Sequence, residues 1–358
     1  MQANKGWNQN LMMSLFEKEG EYDAGVTIST GNTCSLSGYE FEPGWPDTIT
    51  NDKGLVTGKE HGYDQEITQY GFEAIYKEPN ARPNSLAGLA ALVMGASVPT
   101  KDAELIAYQH LITPVPIGTG LPSIHIEHKK GGLQYKYTGV KGNSLKLSGE
   151  AGGYVSLEAA LLGSGTRATS SEEFVAAITE SWMKLASMSI WMESGTDITI
   201  AAAADRVQSA QNISSATPDD LGARFKNFEF NWNNNLIAQP GAGGAGVFQD
   251  IDYGRRSASM KFGIIQYDGT ELAYYTDQDV VAIELNLKGA LIAVEGAMYY
   301  GADLIIPRCK IKAAPLPAGG VDDDLTQEFD VEIFDDGTNS AVELIVYTAQ
   351  AAYMAVGT

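Results

Sequence analysis

The chain has 358 residues, 44% of them hydrophobic and 19% charged, which is enough apolar material for two domains or one large β architecture and too much for disorder. Its formal net charge of −21, from 45 acidic and 24 basic residues, opposes the Lys/Arg neutralisation of phosphates on which nucleic-acid binding depends. No apolar run reaches the 18 residues of a membrane span, and the polar stretch Met1 to Asn10 lacks the apolar centre of a signal peptide.

Gly is abundant at 39 residues, as suits many turns between short strands. Residues 1–20 read as an N-terminal arm with one apolar turn, Leu11 to Phe16. A Gly/Pro-punctuated region follows, with a short strand at Tyr39-Glu40-Phe41. From Glu66 to Tyr76, Tyr70, Phe72, Ala74 and Tyr76 alternate with polar residues, the period of a half-buried strand. Ser85 to Met94 reads as an apolar helix, with Asn84 or Ser85 as its N-cap. Strands are expected at Ser123–His128, Leu133–Tyr137, Asn143–Ser148 and Tyr154–Leu161, the first two joined through Lys130-Gly131-Gly132.

Ser170-Ser171-Glu172-Glu173 has the form of a capping box and predicts a helix through Leu185. A hairpin of 189–192 with 197–201 comes next, then a polar stretch at 205–221 that is the best linker candidate. The remainder is strand-rich: Phe225–Trp232, Arg256–Ile264, Val281–Leu287, Asp303–Ile306, Gln327–Ile333 and, after the Asp336-Gly337 turn, Ala341–Tyr347. Glu271–Tyr275 is a second short helix candidate.

The order of elements in the first half recurs in the second, as expected of a tandem duplication. Tyr39/Phe41 answers to Phe228/Phe230, Tyr70 to Tyr76 answers to Ala258 to Ile264, and Ile124/Ile126 answers to Ile283/Leu285. Leu145/Leu147 answers to Leu304/Ile306, and Val155/Leu157/Ala159 to Phe329/Val331/Ile333. The expected division is an arm at 1–20, a first β domain at 21–169, an insertion or linker at 170–221 and a second β domain at 222–358.

No constellation for chemistry emerges. His61, His110, His125 and His128 read as surface or edge-strand residues, and odd spacing on a strand puts His125 and His128 on opposite faces. Cys34 and Cys309 lie in no CxxC or Cys/His cluster and read as reduced packing residues. The Gly-rich run 241–246 neither follows a strand nor opens a helix, so a loop is favoured over a phosphate cradle. Asp322-Asp323-Asp324 lacks the Gly and distal Glu of a calcium loop. Glu328, Asp330 and Glu332 line one strand face, as a polar face does without any catalytic role. No enzyme activity, metal or cofactor is expected.

Four segments carry a resemblance to a known family. They are Leu133-Gln134-Tyr135-Lys136-Tyr137-Thr138-Gly139 with Asn143-Ser144-Leu145, then Phe228 to Leu236 with its Asn-Asn-Leu turn, Ile251 to Ser257 with Gly254-Arg255, and Leu304 to Pro307. In this order they resemble the major tail tube proteins of siphophages over most of 60–310. The resemblance implies an all-β fold with one or two short helices: tail-tube-type β-sandwich domains of roughly orthogonal antiparallel sheets, here two in tandem. Inner sheets of neighbouring subunits would join into one large oligomeric barrel, removing exposed edges.

It also implies self-association into stacked rings that form a DNA conduit. The duplication favours a homotrimer with pseudo-sixfold symmetry over the homohexamer. Tail tape measure, tail terminator and baseplate proteins are the implied partners, with genomic DNA passing unbound, no membrane, and assembly in the host cytoplasm into the virion. Three copies would carry −63 (3 × −21), and an acidic wall offers DNA no adhesive contact. Glu158, Glu328, Asp330 and Glu332 are the lumen candidates. The alternatives are the inner tube of a contractile tail or secretion system and a β-sandwich glycan-binding module.

Overall fold

The computed structural model describes residues 9–52, 64–101, 107–177, 180–194, 199–201, 208, 212–214, 219–240, 246–265, 269–292, 298–315, 326–335, 337 and 340–356. Strands of three or more residues are β1 Gln9–Met13, β2 Cys34–Leu36, β3 Glu40–Gly44, β4 Thr48–Asp52, β5 Asp64–Gln69 and β6 Phe72–Glu78. After helix α1, Pro83–Met94, come β7 Gly95–Lys101, β8 Tyr108–Pro114, β9 Ile124–Lys130, β10 Leu133–Glu150, β11 Ser156–Gly163 and β12 Arg167–Thr169. The second half holds β13 Lys184–Ser194, β14 Phe225–Asn233, β15 Leu236–Pro240, β16 Phe248–Tyr253, β17 Ser257–Ile265 and helix α2, Thr270–Thr276. It ends with β18 Val281–Leu291, β19 Tyr299–Ala313, β20 Thr326–Ile333 and β21 Glu343–Thr348.

The fold is all-β with two helices among the described residues, and all but one of the pairs between their strands are antiparallel; the exception joins Glu17–Lys18 to Ala355–Val356. Eight strands form one long sheet. In order across it stand β3, β6, β11, the C-terminal half of β10, β14, β17, β20 and the last residues of β19. The other halves of β10 and β19 turn into a second layer. There β10 pairs with β9 and β12 while β1 joins β9 to β2, and β19 pairs with β18 and β21, flanked by β13 and by β8 with β7.

The sequence reads β10 as two strands, but it is one strand that changes sheets. Gly139 takes φ 63° at the bend, a backbone state that Gly reaches without strain. A Cβ on Gly142 would stand 2.5 Å from Val93 Cγ2, so the strand needs Gly there to lie on α1. The ladder with β9 is irregular where Ile124 faces Val140 and Ile126 faces Tyr137, and the ladder with β11 is irregular between Gly142 and Ser144.

β19 carries the same two irregularities. Val281 faces Cys309 and Ile283 faces Ile306, and the ladder with β20 slips between Ile311 and Ala313. Both sites lie 169 residues after their partners in β10 (306 − 137 and 311 − 142). Pro307 falls inside the first irregularity, where no ladder donor is required.

These registers correct the residue matches made by pattern. Ala74 faces Leu161, which faces Gly142; Met260 faces Val331, which faces Ile311. Ala74 therefore answers to Met260 and Phe41 to Phe228, two residues from the pattern match. Leu304 and Ile306 answer to Tyr135 and Tyr137, not to Leu145 and Leu147. An even error keeps every side chain on its own face, so alternation alone cannot detect it.

α1 begins at Pro83 rather than Ser85, after Arg82 in an extended conformation. Its first turn is satisfied from outside: the Asn84 N–H donates to the Glu180 carboxylate at 3.0 Å. Gly95 ends it in the left-handed region at φ 89°. All twelve residues are buried, and the helix packs on β10, β8 and β21.

The helix expected from Ser170 is absent among the described residues of that segment. Ser170 Oγ accepts from the Glu172 N–H, and the chain then runs without regular structure to Ala177, which bridges Ser35. That tertiary pairing prevails over the local helix signal. The expected hairpin is also re-paired: Thr199–Ile200 joins Ile213–Ser214, while β13 joins β18.

His110, His125 and His128 are buried rather than at the surface; His61 lies outside the described residues. His125 Nε2 meets Glu127 Oε1 at 3.0 Å, and His128 packs edge-on against Phe41. Burial lowers the His110 and His128 imidazoles to about 4. In the unfolded chain each titrates near its ordinary value of about 6.5. Their contribution to stability is thus complete above about pH 6.5 and is lost as pH falls toward 4. Glu19, Glu78 and Glu284, raised by burial, act in the opposite direction. In thermal melts between pH 7 and 5, the difference between wild type and His128→Gln is therefore expected to shrink on acidification; a difference that widens would contradict this assignment.

Candidate functional site

The long sheet has one face on the core and one open. The core face carries Tyr76, Ala159, Leu145, Phe230, Trp232, Met260, Phe262, Phe329 and Val331, all buried. Phe262 stacks on Phe329 with ring centres 5.2 Å apart. Alternation puts their neighbours outward. Those neighbours form charged rows that run across strands from both halves of the chain.

One row reads Glu40, Lys77, Glu158, Lys146, Asn231, Ser259, Glu332 and Lys310. The next contains Ser156, Ser148, Glu229, Lys261 and Asp330, and a third Glu150, Asn227, Gly263 and Glu328. Strand spacing of about 4.8 Å puts Glu158 and Glu332, four strands apart, at about 19 Å.

All four acidic residues singled out from sequence lie on this open face. Glu158 and Glu328 hold the same place in the two halves, because their neighbours Ala159 and Phe329 do. Reading also missed Glu40, Glu42, Glu73, Glu150 and Glu229, together with Lys77, Lys146 and Lys261. Outward positions of strands already recognised would have supplied Glu40, Glu73, Lys146, Glu229 and Lys261; Glu42, Lys77 and Glu150 lie past the expected strand ends, in β3, β6 and β10.

The face is a mosaic rather than a uniform acidic surface. Lys146 Nζ stands 2.8 Å from Glu229, Lys77 3.8 Å from Glu158 and Lys261 3.8 Å from Asp330. Such half-exposed pairs contribute little to stability. Their effect is to leave the acids in excess while lysine supplies local balance.

A polar groove of ≈ 520 Å³ between Glu150, Tyr154, Glu229, Lys261 and Glu328 is open to solvent. Among the described residues no three His, Cys, Asp or Glu side chains are grouped to hold a metal ion. Cys34 and Cys309 are buried, and burial pushes both thiols up. Asp322-Asp323-Asp324 and residues 241–245 lie outside the described residues. No described helix is long and apolar enough to cross a membrane.

The sheet is continuous because β10 and β14 pair between the halves, from Ser144 with Asn233 to Glu150 with Asn227. At this internal seam Trp232 faces Leu145 and is 4% exposed, and its Nε1 donates to Asn234 Oδ1 at 3.0 Å. Among the described residues, the sheet's two ends, β3 and the last residues of β19, each have one strand neighbour. Trp232→Ala is expected to cost about 3–5 kcal/mol of stability, read as a lower urea midpoint. A change below about 1 kcal/mol would show that the seam is not part of the core.

In comparison with known proteins, a family model described as phage tail tube protein matches residues 75–333. No curated protein matches the chain.

Proposed function

Since the chain belongs to the phage tail tube protein family, we propose that it forms the tail tube of a long-tailed, non-contractile phage as stacked rings of three chains, and that DNA leaves the capsid through it. The observation that carries this reading is the long sheet whose two ends pair with no further strand among the described residues. Unpaired backbone donors and acceptors at a sheet edge invite another strand, and ring closure is a means of satisfying them all.

Each chain supplies two tube units in this reading. Both units order their four strands alike, β3-β6-β11-β10 and β14-β17-β20-β19, and share both strand irregularities. β1 beside β9 and β13 beside β18 also correspond, with Met13 facing Ile126 and Met192 facing Ile283. The first unit thus includes the arm at 1–20 as far as β1, and the second begins before Lys184. Three chains make six units, which supports three per ring rather than six.

The open face then lines the channel, with Glu158, Glu328, Asp330 and Glu332 among its acids. Lysines held by carboxylates are not free to grip phosphates, and the excess acid repels them. Tape measure, terminator and baseplate proteins follow as partners, with assembly in the host cytoplasm. The inner tube of a contractile system is the second reading; a sheath protein copurifying with the tubes would favour it.

Electron microscopy of the purified chain at high concentration should show hollow rings or tubes with threefold symmetry. Monomers alone would count against the proposal, and six chains per ring would overturn the stoichiometry. Tubes of the triple variant Glu328→Lys, Asp330→Lys, Glu332→Lys should retain short duplex DNA at low salt and release it as salt rises, whereas wild-type tubes should not. Equal retention by both would remove these residues from the channel wall.

A further inference from the structure

The internal seam contains the pattern for a second one. Phe41, Tyr76 and Ala159 lie in one row, and Phe228, Phe262 and Phe329 in another. The β3 segment therefore follows β14 at a spacing of 187 residues (228 − 41), which sets Trp45 on Trp232. The spacing of 169 likewise sets Ala313 on Ser144 and Ala314 on Leu145. Trp232 is buried at the internal seam, whereas Trp45 is 45% exposed at the free end of the sheet, with Gly44 and Pro46 exposed beside it.

We propose that the two free ends join a second copy of this chain in the register of the internal seam. Ala313, Ala314 and Pro315 of one copy then face Pro46, Trp45 and Gly44 of the next, and Trp45 is covered as Trp232 is. This rests on the ring reading above and adds the residues and register of its contact.

The prolines fit this register. In the internal seam the Asn234 N–H donates to Asn143 O at 2.8 Å, so Ser144 and Asn233, lying between the bonds, are a non-hydrogen-bonded pair, and Leu145 with Trp232 is a hydrogen-bonded one. Carried to the free ends, Pro46 and Pro315 both fall on non-hydrogen-bonded positions, where the missing N–H is not called on. Ala314 and Trp45 fall on the hydrogen-bonded position, and each keeps its N–H. A shift of one residue would put one of the two prolines where a donor is needed. Pro43 also stands in β3 and limits how far the ladder runs.

The test is a cysteine pair. Ala313→Cys with Pro46→Cys places two thiols on a non-hydrogen-bonded pair, whose Cα separation of about 4.5 Å lies within disulfide range. Cys34 and Cys309 are buried, so wild type is the blank. Mild oxidation of assembled rings should give a ladder of linked chains ending at three on a non-reducing gel. The pair Ala313→Cys with Gly44→Cys should give none.

Linkage by the second pair, or by neither while microscopy shows rings, would overturn the register and leave the ring reading standing. Wild type without rings would overturn both. Trp45→Ala should raise the concentration needed for assembly at least tenfold; since Trp45 also meets Tyr135 edge-on at 5.5 Å and lies under Arg167 at 4.4 Å, the melting of the unassembled variant is measured beside it to separate lost stability from lost contact. Assembly unchanged by that substitution would also count against the proposal.

Discussion

A buried backbone amide or carbonyl needs a partner, and inside a sheet that partner is the neighbouring strand. The pairing of β10 with β14 depends on that rule. Without it the chain would hold two four-stranded pieces with four exposed ends; with it there is one sheet and two. The core follows from this union, because Leu145, Leu147, Phe230 and Trp232 are buried only where the two halves meet. The common row of outward charges follows as well.

The two long strands make this arrangement possible. Each of β10 and β19 belongs first to one layer and then to the other, and changes over at a ladder irregularity. An extra residue in a ladder bends the strand and increases its twist. One continuous backbone can therefore turn the corner between layers. In β10 the bend uses Gly139; in β19 it tolerates Pro307 by placing it where the ladder asks for no donor. Different residues thus meet one geometric requirement.

Much of this was legible in the sequence, and the failures have definite causes. Alternation in Phe225–Trp232, Arg256–Ile264 and Gln327–Ile333 assigned the inward and outward faces correctly, because burial of one face leaves a period of two. The same period hid the register, since any even shift of the duplicated strands matches equally well. Ser170 to Glu173 carried a helix signal that tertiary pairing with Ser35 overrode. The histidines looked polar enough for the surface, but the Val26 and Gln350 carbonyls that partner His125 and His110 lie far off in sequence, and nothing in the sequence marks Glu127, two residues from His125, as buried with it. Of the charged face, reading found the acids and missed the lysines between them, which only the cross-strand register brings together.

The hairpin of β7 and β8 makes the two halves of the chain unequal. It leaves α1 in the first half and adds itself to β21 in the second, while α2 runs on to β18 with only Asp277 to Val280 between. The first half therefore lends the second an outer strand pair and receives none in return. α1 is shared in the same sense, since it packs on β21 as well as on β10. The halves are consequently not interchangeable modules: cutting the chain between Thr169 and Lys184 and separating the pieces would take β8 from β21, leaving it β19 alone, and uncover one side of the helix. The two halves thus make one body whose parts are defined by what they give each other.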